Sequence, residues 1–131
     1  MDLNLNVLRL ASGLATHAAQ RQALIAENMA NSDTPGFRAS DLPDFGTVLD
    51  RAVPAFTAKL TRPQHIAFGA DAILGAEPRP DAIEGADAPN GNSVSIEDQM
   101  MRAANVRQSH EMAMGVYSKS LEILRASIGT R

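Results

Sequence analysis

The sequence predicts a mainly α-helical protein whose long N- and C-terminal helices form a coiled-coil-like bundle. All seven prolines of the 131-residue chain lie between residues 33 and 93, together with all four phenylalanines. Because proline interrupts hydrogen bonding in a helix interior, long helices are confined to the proline-free arms, residues 1–32 and 94–131. We expect the arms to form the helical domain, and residues 33–93 to form a Pro/Gly-rich middle segment with loops and short β-strands.

The N-terminal arm carries an apolar stripe at helical spacing. Three of its residues lie eleven positions apart, which predicts little left-handed supercoiling. Pro35 and Gly36, just after the helix, suit the two central positions of a type II turn. The stripe consists of Leu3, Val7, Leu10, Leu14, Ala18, Ile25 and Met29.

The C-terminal arm shows the clearest period in the chain. When Met100 is counted as heptad position a, every a and d position from residue 114 onward is apolar or aromatic, as in a coiled-coil seam. Ser95 with Asp98 forms a capping box that would open the helix, and Gly129 would end it, so the helix is predicted over 96–128. The seam consists of Met100, Met114, Tyr117, Leu121, Leu124 and Ile128.

Neither arm can bury its apolar seam alone, because a single helix is only marginally stable in water. The arms could pair with each other or with the arms of other copies. In an antiparallel pair within one chain, the basic His17 and Arg21 would meet Arg107 and His110. Their repulsion favours staggered packing between chains.

The middle segment is acidic, with nine Asp and Glu residues against five Lys and Arg between positions 33 and 93. Apolar and polar residues alternate over 56–61, which predicts a short strand, and residues 45–49 and 66–68 are further candidates. Residues 75–93 have almost no apolar periodicity. We interpret them as a mobile acidic loop.

Composition and motifs argue against several classes of function. Twelve basic residues against fifteen acidic ones give a net charge of −3, which argues against a nucleic-acid-binding protein. The chain has no cysteine, so disulfides, thiolate zinc sites and a cysteine nucleophile are excluded. His17, His65 and His110 lack metal-ligand spacing, and no phosphate-binding or nucleophile-elbow motif is present. We therefore predict a non-enzymatic protein with no cofactor, no metal and no small-molecule substrate.

No targeting or membrane segment is visible at the start of the chain. Asn4, Asn6 and Arg9 interrupt the apolar residues there, whereas a secretory signal needs a continuous apolar stretch. No run approaches the roughly 20 apolar residues of a membrane span. The chain is expected to be cytoplasmic or to be exported uncleaved by another route.

Residues 26–39 resemble the N-terminal signature of bacterial flagellar rod and hook proteins, which reads roughly A-N-N-x-A-N-x-x-T-P-G-[YF]-[KR]. Glu27 stands where asparagine is usual. The matching positions are Ala26, Asn28, Ala30, Asn31, Thr34, Pro35, Gly36, Phe37 and Arg38.

Within that superfamily the chain is similar to the proximal rod, or FlgB, family. The similar stretches are residues 37–45, residues 60–66 and the segment 90–94 before the last helix. The resemblance implies a structural subunit of the basal-body rod in the periplasm, which assembles through its terminal helices. The implied partners are other rod subunits, the adaptor protein that joins the rod to the MS ring, and the flagellar type III export gate, which exports such subunits without a cleaved signal peptide.

Export substrates of this class carry a gate-recognition element of the form Phe-x-x-x-hydrophobic, which Phe45 and Leu49 fit. Structural burial of Phe45 is the alternative. Three other functions are open as well: a FlgC-type rod subunit, a peptidoglycan-cleaving accessory enzyme, and a cytosolic coiled-coil adaptor.

Overall fold

Two long helices and a short middle helix make up most of the computed structural model, which describes residues 2–52, 79–80 and 88–129. Helix α1 spans Asp2–Ala30, α2 spans Phe45–Ala52 and α3 spans Ile96–Ile128. Two short strands, β1 (Ser40–Asp41) and β2 (Arg79–Pro80), form an antiparallel pair. The sequence therefore correctly predicted a mainly α-helical fold with two long terminal helices.

Helices α1 and α3 pack against each other in antiparallel fashion. Asn28 near the end of α1 meets Gln99 near the start of α3, and Ala18, earlier in α1, packs against Val106. Both helices bury a strict seven-residue repeat in this contact, which is the spacing of a coiled-coil seam. The repeat consists of Ala11, Ala18 and Ile25 on α1, and Gln99, Val106, Ala113 and Ser120 on α3; α1 also buries His17 and Asn28.

The prediction that the arms favour packing between chains rather than within one chain was wrong for this part of their surface. The predicted repulsion is avoided because Arg21 pairs with Asp41, and His17 contacts the backbone of Pro43. Arg107 pairs with Glu111 on its own helix. The eleven-residue period predicted for α1 is also replaced by the buried seven-residue repeat.

The ends of α3 follow the sequence prediction. The hydroxyl oxygen of Ser95 accepts a hydrogen bond from the Asp98 N–H at 3.4 Å, and this cap satisfies a helix-terminal donor. Gly129 ends the helix at a positive φ of 76°, a conformation that costs glycine little. The Ser95 half of the predicted capping box and the helix stop at Gly129 are confirmed.

The middle segment differs from the prediction in two places. Residues 45–49, predicted as a candidate strand, lie in α2, because Phe45, Val48 and Leu49 share one helical face and Val48 is buried. In the predicted mobile loop over 75–93, Arg79 and Pro80 pair with β1, and Asn92 and Ser93 are buried. The strands predicted over 56–61 and 66–68 lie outside the described residues.

Candidate assembly surface and the signature junction

The signature residues after α1 form a tight turn. The Phe37 N–H donates to the Thr34 carbonyl oxygen at 3.3 Å, with Pro35 and Gly36 at the central positions. Gly36 has a φ of +71°, which is the value that a type II turn requires at its third residue. The predicted turn is confirmed, and it directs the chain back toward α1.

A second segment, residues 90–93, closes over this turn. The Gly36 N–H donates to the Asn90 carbonyl oxygen at 3.0 Å, and the Ser93 N–H donates to the Phe37 carbonyl oxygen at 3.1 Å. The Ser93 hydroxyl oxygen accepts from the Ala39 N–H at 2.9 Å. Gly91 lies so close that a Cβ there would sit 3.7 Å from the Gly36 Cα. The two segments therefore hold each other through backbone contacts.

Asn92 is the central side chain of this closure and is only 2% exposed. Its side-chain NH₂ lies 2.8–2.9 Å from the carbonyl oxygens of Asn31, Ser32 and Thr34. Its amide oxygen accepts from the Val94 N–H at 2.7 Å. Carbonyl groups at the end of a helix lack partners within the helix, and Asn92 supplies one. A single side chain thus ties the end of α1 to the segment that leads into α3.

Asn28 of the signature joins three elements. Its side-chain NH₂ donates to the Ser40 carbonyl oxygen at 2.8 Å and to the Gln99 side-chain oxygen at 3.2 Å. Its amide oxygen accepts from the Ser40 N–H at 3.1 Å. Asn28 and Gln99 are each 1% exposed, so these bonds are made away from water. The Asn28–Gln99 pair therefore holds the end of α1, strand β1 and the start of α3 next to one another.

An ionic cluster lies beside this pair. Asp41 accepts two hydrogen bonds from the Arg21 guanidinium, at 2.7 and 2.6 Å, and one from Arg102 at 2.8 Å. Arg21 also reaches Asp44 at 3.3 Å, and Arg102 lies 2.7 Å from Asp98. The Asp41 carboxylate therefore bridges a basic side chain of α1 to one of α3.

Partial burial raises the pKa of the Asp41 carboxyl, but the hydrogen bonds and charge of Arg21 outweigh that effect. The Leu42 N–H and the charge of Arg102 act in the same direction, and the pKa falls below its ordinary value of 3.8. The hydrogen bonding of the Arg21 guanidinium to the Asp41 carboxylate in turn raises the pKa of Arg21. Asp41 and Arg21 are therefore both ionised at neutral pH.

The candidate export element is packed in the folded chain. Phe45 begins α2, and its ring meets the ring of His17 edge-on, with centroids 5.6 Å apart. His17 is buried, and its Nε2 lies 2.8 Å from the Pro43 carbonyl oxygen, to which it donates as a ring N–H. Phe45 and Leu49 are both half-buried. These contacts hold α2 against α1.

The predicted assembly seam divides into three groups by exposure. Ala18 and Ile25 are buried between α1 and α3, and Leu14, Met29, Leu121 and Leu124 are half-buried. The side chain of Leu3 lies outside the described part of the structure. The exposed members are Val7, Leu10, Met100, Met114, Tyr117 and Ile128.

Sequence reasoning missed the polar residues that hold the junction together. Asp41, Arg102, Gln99 and Asn92 come from three separate parts of the chain, and their partners are 20 to 71 positions away. The one available signal was Asn90-Gly91-Asn92, which predicts a turn but does not say what the turn packs against.

The described residues contain no group of three acidic or histidine side chains placed to hold a metal ion. His17 and His110 lie on different sides of the helical pair, His17 against Pro43 and His110 beside Arg107. Among the helices that the structure describes, none has the length and apolar character needed to cross a membrane.

Replacing Asn92 by aspartate tests the closure of the signature turn. The Asn92→Asp side chain keeps the shape and the acceptor for Val94, but it places a carboxylate against three carbonyl oxygens. We expect a loss of about 3 kcal/mol in the free energy of unfolding, measured by urea denaturation. Asn105→Asp, the same change at an exposed position of α3, should cost less than about 0.5 kcal/mol. Equal costs for the two variants would contradict the proposed closure.

The Asp41 cluster predicts a specific pH dependence. Because the pKa of Asp41 is lowered in the folded chain, its stabilising effect is present above its ordinary value of 3.8 and is lost as pH falls through the lowered value. Asp41→Asn should therefore cost about 3 kcal/mol of unfolding free energy at pH 7, and the deficit should shrink below pH ~4. Asp33→Asn at the exposed turn is the matched control. A deficit that does not change with pH would argue against the ionic role.

Residues 8–38, which include most of α1 and the signature turn, match the family described as "Flagella basal body rod protein". Three similar proteins, all named flagellar basal body rod protein FlgB, align with most of the chain. The one from Aeromonas hydrophila is 30% identical over 112 residues, covering 84% of this chain and 77% of the relative. The one from Escherichia coli K12 is 29% identical over 111 residues, covering 79% of each chain.

The third, from Agrobacterium fabrum, is 25% identical over 109 residues, covering 82% of this chain and 81% of the relative. The alignments thus extend well beyond the signature, in agreement with a junction that joins residues far apart along the chain. Family match, relatives and the structured signature agree, and the chain belongs to the FlgB family of flagellar basal body rod proteins.

Proposed function

We propose that this rod protein joins the basal-body rod by burying the free apolar faces of α1 and α3 against neighbouring subunits. One observation carries the proposal. Among the described residues, all the large hydrophobic side chains that are exposed lie on these two helices, and none lies on α2 or the turns. Apolar area removed from water contributes about 25 cal/mol per Å², so covering these side chains favours assembly.

The proposed mechanism is mechanical rather than catalytic. The relatives are named as rod proteins, and a rod subunit needs extensive apolar interfaces rather than a reactive group. The four exposed methionines of α3 suit contact with non-identical neighbours, because methionine is flexible and polarisable. The relatives are all named FlgB. They therefore do not favour a FlgC-type subunit, a peptidoglycan-cleaving enzyme or a cytosolic adaptor.

The proposed partners are other rod subunits and the adaptor that joins the rod to the MS ring, with the type III export gate acting before assembly. In this proposal residues 1–32 and 94–131 supply the helical rod core. The middle segment fixes the angle and register of the two helices at the signature end. The signature residues from Ala26 to Arg38 build the junction, whereas the exposed seam residues make the contacts between subunits.

A charge on the seam tests the assembly proposal. Leu121→Asp is expected to abolish rod assembly and swimming while export of the subunit continues, because it places a charge in an apolar contact. Leu121 is half-buried, so Ile128→Asp, at a position that is 78% exposed, serves as a second variant that leaves the buried contact between the helices unchanged. Gln108→Glu, which adds a charge at an exposed position outside the seam, is the control.

Motility assays and electron microscopy of isolated basal bodies are the measurements for these variants. Normal swimming in both seam variants would overturn the proposal, as would an equal defect in the Gln108→Glu control.

We also propose that Phe45 and Leu49 are read by the export gate before the chain folds. Phe45→Ala should then lower the amount of subunit secreted, measured by immunoblot of an export-competent strain. Val48→Ala removes a buried side chain from the same helix and leaves the Phe-x-x-x-hydrophobic pattern intact, so it controls for folding. Unchanged secretion of Phe45→Ala, or an equal loss in both variants, would leave Phe45 with the packing role that its contact with His17 gives it.

A further inference from the structure

The segment that closes over the signature turn contains an Asn-Gly dipeptide, Asn90-Gly91, which occurs once in the sequence. The fold makes use of both residues. Gly91 has a φ of +77°, a conformation in which a side chain would be strained. The side-chain oxygen of Asn90 accepts from the Asn92 N–H at 3.1 Å, and Asn90 is exposed to solvent. A chemically reactive dipeptide is therefore built into a turn on which the fold depends.

An asparagine that precedes glycine deamidates readily in a flexible chain, because glycine has no side chain to hinder attack by its own nitrogen. The Gly91 amide nitrogen bonds to Cγ of Asn90, the bond from Cγ to the side-chain nitrogen breaks, and ammonia leaves with the amide proton. Water then opens the cyclic imide and restores the N–H. Opening at the former backbone carbonyl carbon gives an isoaspartyl residue, and opening at Cγ gives an aspartyl residue.

The closed turn holds both reacting groups in hydrogen bonds. The Gly91 N–H donates to the Ala88 carbonyl oxygen at 2.7 Å, so the nitrogen that would attack is engaged. The Asn90 side chain is held by the Asn92 N–H, and the Asn90 backbone carbonyl oxygen accepts from the Gly36 N–H at 3.0 Å. Deamidation in the folded chain therefore requires local opening, and its rate falls with the population of open molecules.

We propose that Asn90 is a site of spontaneous deamidation which the closed turn protects, and that the isoaspartyl product can no longer close over the signature turn. An isoaspartyl residue carries the chain through its former side chain, which adds a methylene group to the backbone before Gly91. The former backbone carbonyl group becomes a carboxylate beside the chain. The acceptor for the Gly36 N–H is therefore displaced from the backbone.

The added methylene group also shifts the residues that follow it. The hydrogen bond from the Ser93 N–H to the Phe37 carbonyl oxygen lies beyond the insertion, so it and the Gly36 bond cannot both form in the native register. Asn92 then loses its place against the carbonyl oxygens at the end of α1. Deamidation thus limits how long an unfolded chain stays able to fold.

The site and its protection are tested by comparing the folded chain with the chain held unfolded in guanidinium chloride. Deamidation is measured by peptide mass spectrometry, and isoaspartate by a methyltransferase specific for it. Asn90 should deamidate at least about tenfold faster in the unfolded chain, because no closed turn then protects it. It should also react faster than Asn92, which precedes serine. Equal rates in the two states would overturn the protection, and an unreactive Asn90 in the unfolded chain would overturn the site.

Asn92→Asp and Asn105→Asp show whether the closed turn is what protects. Each native rate of deamidation at Asn90 is divided by the rate of the same variant in guanidinium chloride, which removes any effect on the chemistry of the dipeptide. Asn92→Asp should raise this ratio at least about fivefold, because it opens the turn. Asn105→Asp, at an exposed position of α3, should leave it unchanged. A ratio that Asn92→Asp does not raise would contradict protection by the turn.

The loss of folding is tested by ageing the chain in guanidinium chloride and then diluting it. Aged wild type should lose hydrogen-exchange protection at the Gly36 and Ser93 N–H groups in proportion to its isoaspartyl content. Asn90→Ser keeps a side-chain acceptor and cannot form the imide, so the aged variant should refold as the fresh one does. Fresh Asn90→Asp, which has the charge without the added methylene group, should refold like wild type. Native protection in isoaspartyl chains, or an equal loss in aged Asn90→Ser, would overturn the proposal.

Discussion

The fold depends on a polar constraint that fixes the register of α1 against α3. The seam between the helices repeats every seven residues and is built largely from small side chains, so sliding by one repeat would match Ala11 or Ala18 to equivalent partners at little cost. The Asn28–Gln99 pair and the Arg21–Asp41–Arg102 bridge favour the observed alignment, because a slip would break these hydrogen bonds and ion pairs at buried positions. The charges therefore contribute specificity of register in addition to stability.

The same constraint explains why the two ends of the helical pair differ. At the signature end, Asp41 of the connecting chain binds Arg21 and Arg102, Asn92 binds the carbonyl oxygens that follow α1, and His17 contacts Pro43. Large apolar side chains such as Ile25 are buried there. Toward the free ends, the buried contact narrows to the small residues Ala11, Ala113 and Ser120. Large apolar side chains therefore remain exposed on both sides of this narrow helical pair. Because the connecting chain packs against only one end of the helical pair, the surface along the other end stays available for contact with neighbouring subunits.

The sequence predicted what depends on local physics and missed what depends on distant partners. The boundaries of α3, the Ser95 cap and the type II turn at Gly36 each follow from residues within one helical turn, and each is confirmed. The error at residues 45–49 arose because a five-residue segment with three apolar side chains fits a strand or a helix equally well, and packing against His17 decides the outcome. The intrachain pairing was missed because Arg21 was expected to repel the basic residues of α3. In the structure Arg21 instead forms an ion pair with Asp41, which is far away in sequence.

The long range of these contacts bears on how the terminal helices are stabilised. An isolated helix of this length is marginal in water, and α1 gains its burial from residues 40–45 and from α3, whose Gln99 is 71 positions from Asn28. Those contacts are concentrated between His17 and Asn28, so the first half of α1 receives little polar support from its own chain. Side chains such as Val7 and Leu10 then have most to gain from burial against another molecule, because they stay exposed in the isolated chain. The polar junction fixes the register of the pair, and the free half of the pair supplies the surface on which assembly acts.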